Sequence, residues 1–301
     1  MQQIDIGNII YGRTSRRLPR FVNALLERLI HQRELNDILR SGRDLAPREF
    51  IAHTLGRLGI TYSAERLDAV GDGRFIFASN HPFGGLDGMI LLHALSGRWP
   101  DVAAVANDML ADVEPLAPLW VPVNKYGRQS ADYTLLYDRA FASPCKQILT
   151  FPAGFCSRIV DGCVTDMPWR PRFVRDALRY GRLVVPVFVD GELSSRFYWV
   201  YRLRRLLGIS VNLELSLLVD EMFRSRGRHV RVRFGAPVDL ESLGGDIDAR
   251  CDEIRRRCYA LRCPTKEKGD SCMPRVVACG PRGSEEPQIC CKPEIDNPEE
   301  K

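Results

Sequence analysis

Residues 74–95 read RFIFASNHPFGGLDGMILLHAL and join two kinds of apolar run through one polar turn. Upstream, Arg74–Asn80 has the length and the aromatic content of a buried strand. Downstream, Leu86–Leu95 is helix-length. Between them, NHPFGGLDG (Asn80–Gly88) places a histidine at the strand end, then a proline and two glycines, then an aspartate where the helix begins. Pro82, Gly84 and Gly85 supply turn chemistry, and the glycines let backbone approach a ligand closely.

The same rhythm continues outward. Further strands are expected at Val102–Asn107, Leu119–Lys125, Gln147–Ala153, Leu183–Asp190 and Val230–Phe234. Helices are expected at Pro47–Leu58, Ser130–Ala142, Arg170–Tyr180, Ser195–Leu207 and Leu213–Arg224, and from about Leu240 to Cys263. This alternation predicts an α/β domain over residues 61–263, with a mixed, largely parallel central sheet flanked by helices. Such sheets bind ligands at their strand carboxyl ends. Three unusual stretches fall there: NHPFGGLDG, VNKYGRQS and FPAGFCSR.

Residues 1–60 read as a helical region. Within Pro19–Ser41 the apolar residues Phe21, Val22, Leu25, Leu26, Leu29, Ile30, Leu35, Ile38 and Leu39 draw one helical stripe, which suits a membrane surface or a protein core equally. From residue 264 to 301 prolines, glycines and charges replace periodicity, the composition of a disordered tail.

The net charge of +5 favours anionic partners, but no Lys/Arg stripe interleaved with aromatics marks a nucleic-acid binder. No apolar run reaches the roughly 18 residues of a membrane span, and MQQIDIGNIIYGR lacks the order of a secretory signal. These features predict a cytoplasmic protein, peripheral on the inner membrane face. Of the ten cysteines, seven lie at or beyond Cys251; none forms a C-x-x-C pair, so free thiols are expected and no metal site.

His81 is the natural proton shuttle of this sequence. A base needs a fixed ring and tautomer, which a carboxylate supplies. Asp87 can reach His81 only if the turn folds back; otherwise it is a plain helix cap. No G-x-S-x-G elbow is present, and nothing around Cys145 or Cys156 marks a thiol nucleophile. A dyad without a protein nucleophile suits direct attack by a substrate hydroxyl or amine on an acyl thioester.

NHPFGGLDG resembles the first block of the PlsC-type glycerolipid and lysophospholipid acyltransferases, with H-x5-D in place of H-x4-D. This variant is similar to the hemolysin-like branch, which includes lyso-aminolipid O-acyltransferases. LWVPVNKYGRQS (Leu119–Ser130), FPAGFCSR (Phe151–Arg158) and LVVPVFVDG (Leu183–Gly191) resemble the second, third and fourth blocks, in order, so the likeness covers roughly Arg74 to Pro237.

The resemblance implies His81 as base and Asp87 as its orienting partner. It implies backbone donors for the oxyanion near Gly84, Gly85 or Gly154, and substrate contacts from Asn80, Lys125, Arg128, Ser157 and Arg158. The co-substrate would be acyl-ACP or acyl-CoA, the acceptor a lyso-lipid, with no bound cofactor or metal. The third block departs from the family: its glutamate is Ala153 and its arginine is displaced to Arg158, which argues against glycerol 3-phosphate or lysophosphatidic acid as acceptor. The alternatives are a lysophosphatidic acid or lysophospholipid acyltransferase and a non-catalytic membrane-binding protein. Arg202, Arg204 and Arg205 are a candidate face for acidic carrier protein or anionic lipid, or simply solvated. The aromatics Phe197, Tyr198, Trp199 and Tyr201 belong to the membrane interface or to the core.

Overall fold

A computed structural model describes residues 4–15, 17–107, 114–123, 130–160, 162–208, 213–262 and 276–277. Four N-terminal helices, α1 (Ile6–Thr14), α2 (Arg20–Leu29), α3 (Gln32–Ser41) and α4 (Pro47–Arg57), precede the first strand. The chain then runs β1 (Thr61–Glu65), β2 (Phe75–Ser79), α5 (Gly85–Ser96), β3 (Val102–Asn107), β4 (Trp120–Val123), α6 (Ala131–Ala142) and β5 (Gln147–Thr150). After these come a hairpin, β6 (Arg158–Val160) and β7 (Cys163–Thr165), then α7 (Arg172–Tyr180), β8 (Leu183–Val189), α8 (Ser195–Leu206), α9 (Leu218–Arg224), β9 (His229–Phe234), α10 (Ile247–Ala260) and β10 (Val276–Val277).

The main sheet has the order β10-β1-β9-β8-β2-β5-β3-β4. Its ladders are parallel except β8 with β9 and β1 with β10, so the sheet is mixed and largely parallel. The central strands are apolar along their whole length because both faces are covered. On β2, Phe75 and Phe77 point into one core with α4, α5, α8 and α9, while Ile76 and Ala78 point into a second core with α6, α7 and α10. On β8, Val185 and Val187 join the first core and Val184 and Phe188 the second.

Three parallel neighbours, β8, β2 and β5, end on the same edge. Beyond β2 the next strand in sequence, β3, lies past β5, whereas β8 lies on the other side, so the chain leaves β2 in both directions. The loops after β2, β5 and β8 therefore meet over a topological switch point, where open α/β sheets form their clefts. Asn80 ties this edge together. Its Nδ2 donates to the Val189 carbonyl at 2.9 Å and its Oδ1 accepts from the Val189 N–H at 2.7 Å, so one buried amide pairs with both backbone polar groups of one residue across the sheet end.

Some elements differ from the sequence expectation. The stripe over 19–41 is two helices, broken at His31, whose φ of 49° is left-handed. The break is held by tertiary contacts: the His31 ring stacks on Phe223 at 4.3 Å and its Nε2 sits 3.0 Å from Asp220 Oδ1. It lets Ile38 of α3 enter the core while Phe21 and Leu25 of α2 stay exposed. Strand β1 was not expected, because TYSAE buries only Tyr62 and Ser63 and has no apolar run to announce it. The final helix starts at Ile247 rather than near Leu240, behind an Asp246 cap that accepts from the Ala249 N–H. The expected tail falls outside the described residues apart from β10, which pairs Val277 with Tyr62. Cys145 departs from the free-thiol expectation, being disulfide-bonded.

Gly191, just past β8, faces the Phe83 ring of the β2–α5 turn so closely that a Cβ there would overlap it. Gly191→Ala should cost about 1–3 kcal/mol through this overpacking. The loss should appear as a lower urea midpoint at unchanged m-value; an unchanged midpoint would show that Phe83 does not depend on that space.

Candidate active site

His81 follows β2 by two residues and Asp87 lies in the first turn of α5. The turn does fold back: His81 Nδ1 stands 3.0 Å from Asp87 Oδ1. The contact is bent, since Nδ1 has no in-line acceptor in this arrangement. Asp87 is 0 % exposed and His81 18 %, so the carboxylate is sealed while one side of the imidazole reaches solvent. Asp87 also does capping work, with Oδ2 accepting from the Phe83 N–H at 2.9 Å and Oδ1 from the Gly88 N–H at 3.0 Å. The positive end of the α5 dipole favours its charge.

Glycine is required at position 84. Its φ is 77°, and a Cβ would sit 3.1 Å from Cys156 Sγ and 3.2 Å from Leu218. Gly85 opens α5 with nothing against its Cα. Gly154, with φ 68°, spends its N–H on the Phe151 carbonyl at 2.9 Å, closing the loop after β5.

That loop grips the histidine from the other side. Phe151 stacks on the His81 ring, centroids 4.0 Å apart at 28°. The Ser157 N–H donates to the His81 carbonyl at 2.8 Å, and Ser157 Oγ donates to Asp166 Oδ1 at 2.6 Å. The same Asp166 oxygen accepts from the His81 N–H at 3.2 Å, and Oδ2 accepts from Trp169 Nε1 at 2.9 Å. Burial pushes the Asp166 carboxyl above its ordinary value, against the pull of these donors. Neither Phe151 nor Asp166 is among the site residues expected from the sequence. Phe151 heads a motif that pointed to it; Asp166 stands alone after β7 with no local signal.

The residues expected to meet substrate separate into three groups. Asn80, Gly84, Gly85, Gly154 and Ser157 lie in the two loops around His81. Arg158 is buried and turned away: it donates to the Cys156 carbonyl at 2.6 Å and pairs with fully buried Glu214 at 3.0 Å. Arg204 closes on the other Glu214 oxygen at 2.9 Å, and the Arg158 guanidinium lies 4.8 Å from the Tyr201 ring centre. Lys125 and Arg128 lie outside the described residues. Ala153 packs into the core of α6, α7 and α10. Among the described residues no three His, Cys, Asp or Glu side chains gather in a metal-holding cluster.

Residues 11–266 match the family model described as acyltransferase. The lyso-glycine lipid O-acyltransferase of Bacteroides thetaiotaomicron is 34% identical over 246 residues, spanning 80% of this chain and 90% of that protein. The protein of the same name from Phocaeicola vulgatus is 34% identical over 245 residues, spanning 80% and 88%. The crystal structure of the 1-acyl-sn-glycerophosphate acyltransferase PlsC from Thermotoga maritima superposes with a TM-score of 0.43 at 17% identity, covering 82% of this chain and all of that one. The chain belongs to the acyltransferase family.

Cys156 sits beneath Gly84, and burial pushes its thiol up to about 12. At pH 8 in the native protein, iodoacetamide should therefore label exposed Cys163 well before Cys156. Peptide mass mapping over a time course reads the order; equal rates would restore Cys156 as a candidate nucleophile.

Proposed function

We propose that this acyltransferase moves a fatty acyl group from an acyl thioester, acyl-ACP or acyl-CoA, to the hydroxyl of a lyso-aminolipid of the kind named for its two relatives. The observation that carries the reading is the His81–Asp87 pair, 3.0 Å apart at a strand end, with no protein nucleophile free beside it among the described residues. The Cys156 thiol is held protonated, and the Ser157 hydroxyl is given to Asp166.

With Nδ1 turned to Asp87, Nε2 is the nitrogen left to the acceptor. It takes the hydroxyl proton as that oxygen attacks the thioester carbonyl. The buried Asp87 charge stabilises the imidazolium that forms. The carbonyl π-electrons move onto oxygen, giving a tetrahedral oxyanion. Since the Gly154 and Gly88 N–H groups are already engaged, the donors we favour are the first N–H groups of α5, at Gly85 and Leu86, which have no carbonyl partner within the helix. Collapse breaks the C–S bond, and His81 returns its proton to the departing thiolate. The products are the ester and a free thiol.

A phosphate-bearing acceptor is disfavoured by Arg158, whose charge is already met by Glu214. Lys125 and Arg128 stay in the proposal as contacts to an acceptor carboxylate. A membrane surface as the place of work is supported by large apolar side chains left in water. On α8 and just after it, Trp199 is 62 % exposed, Leu206 84 % and Leu207 63 %. Arg202 and Arg205 stand beside them, along an open groove of about 690 Å³ that also runs along the β6–β7 hairpin. Phe197 and Tyr198, by contrast, are core. Among the described residues no helix is long and apolar enough to cross a membrane.

His81→Ala should lower kcat by about 10²–10⁴-fold without loss of fold. In expressing cells, the same substitution should abolish a di-acyl aminolipid that the wild type makes. Consumption of lysophosphatidic acid instead would move the acceptor to the phosphate class, and wild-type-like activity in the variant would remove His81 as the base. Anionic vesicles should shift tryptophan emission to the blue, and Trp199→Phe should remove most of that shift, because Trp99 and Trp169 are buried and Trp120 is half-buried. An unchanged spectrum would argue against membrane contact through α8.

A further inference from the structure

Asp166 is 2 % exposed and belongs to none of the sequence motifs, yet one of its carboxylate oxygens accepts from both the His81 N–H and the Ser157 hydroxyl. We infer that Asp166 is a positioning residue for acyl transfer: its carboxylate fixes the His81 backbone, and through it the placement of the imidazole against Asp87. The inference rests on the proposed role of His81.

The geometry is a closed ring. The His81 N–H and Ser157 Oγ–H both donate to Asp166 Oδ1, at 3.2 and 2.6 Å, and the Ser157 N–H returns to the His81 carbonyl at 2.8 Å. Both backbone polar groups of the histidine are thereby taken. The clamp is itself anchored: Trp169 Nε1 holds the second oxygen, the Asp166 N–H donates to Tyr259 Oη at 2.7 Å, and Arg255 donates to the Asp166 carbonyl at 3.0 Å. Tyr259 and Arg255 lie on α10, whose buried face belongs to the layer opposite α5. Asp87 steers the ring from one helical layer while Asp166 holds the backbone from the other. A displacement near 1 Å in such a site costs about 10²-fold in rate.

The test compares purified wild type, Asp166→Ala and Asp166→Asn by steady-state thioester turnover and by ¹⁵N NMR of the histidine side chains. Asp166→Ala should lose about 10²-fold in kcat with KM within about threefold, and should move the His81 imidazole resonances while the other four histidines keep theirs. Asp166→Asn keeps an acceptor oxygen and should recover to within about tenfold of wild type. A folded Asp166→Ala with wild-type kcat and unmoved His81 resonances would overturn the assignment. Should Asp166→Ala not fold, Ser157→Ala removes the shortest bond of the ring and should show the same fall in kcat alone. A rise in KM alone would assign Ser157 to substrate and overturn the clamp. A wild type that turns over no thioester defeats the acyl-transfer reading, and the NMR comparison still decides the clamp by itself.

Discussion

A carboxylate with no exposure to water governs the geometry of this site. Taking an anion out of water costs several kcal/mol unless donors surround it. Asp87 finds its donors on either side of it in the chain, at the Phe83 N–H of the preceding turn and the Gly88 N–H just after it, and its charge faces the His81 ring. Once Phe83 N–H must point back at Asp87, the chain can enter α5 only through a left-handed residue, which is Gly84. The buried Phe83 ring lies against Gly191, just past β8, where the missing Cβ leaves it room. Proline, glycines, aspartate and a glycine a hundred residues away are consequences of one buried charge.

The central strands and their helices were legible because they are buried on both faces and therefore carry unbroken apolar runs. So was the first half of the site: the spacing of His81, the Pro-Gly-Gly turn and Asp87 is a local pattern. The remainder is non-local. Strand β1 exists because β9 offers it a parallel edge, residue for residue from Thr61 opposite His229, and its own sequence announces little. His31 breaks a stripe that reads as one helix because Phe223 and Asp220 meet it from far along the chain. Asp166 reaches His81 across 85 residues through a hairpin no periodicity forecasts.

Arg158 illustrates how a correct motif can still mislead about a side chain. Its place after FPAGFCS suggested a cation offered to substrate. Its guanidinium is instead folded into a buried cluster with Glu214, Arg204 and the Tyr201 ring. A buried guanidinium already engaged by Glu214 and the Cys156 carbonyl has little left to offer a ligand, and prying it loose would strip Glu214 of one of its two arginine partners. The FPAGFCSR block thus presents mainly backbone and a phenylalanine ring to His81.

Two aspartates consequently bracket one histidine and differ only in what they face. Asp87 faces a ring nitrogen, where in the proposed mechanism its charge would act on the proton that His81 takes up. Asp166 faces a peptide N–H, where it cannot act on that proton directly and serves to hold the main chain. The sheet explains why the two converge. β2 delivers His81 to a switch point with a helical layer on either side, so each layer contributes one carboxylate contact, from α5 directly and from α10 through the backbone of Asp166. In the proposed mechanism, a histidine held on both sides needs no protein nucleophile to complete it, and its remaining partner is the hydroxyl of a substrate.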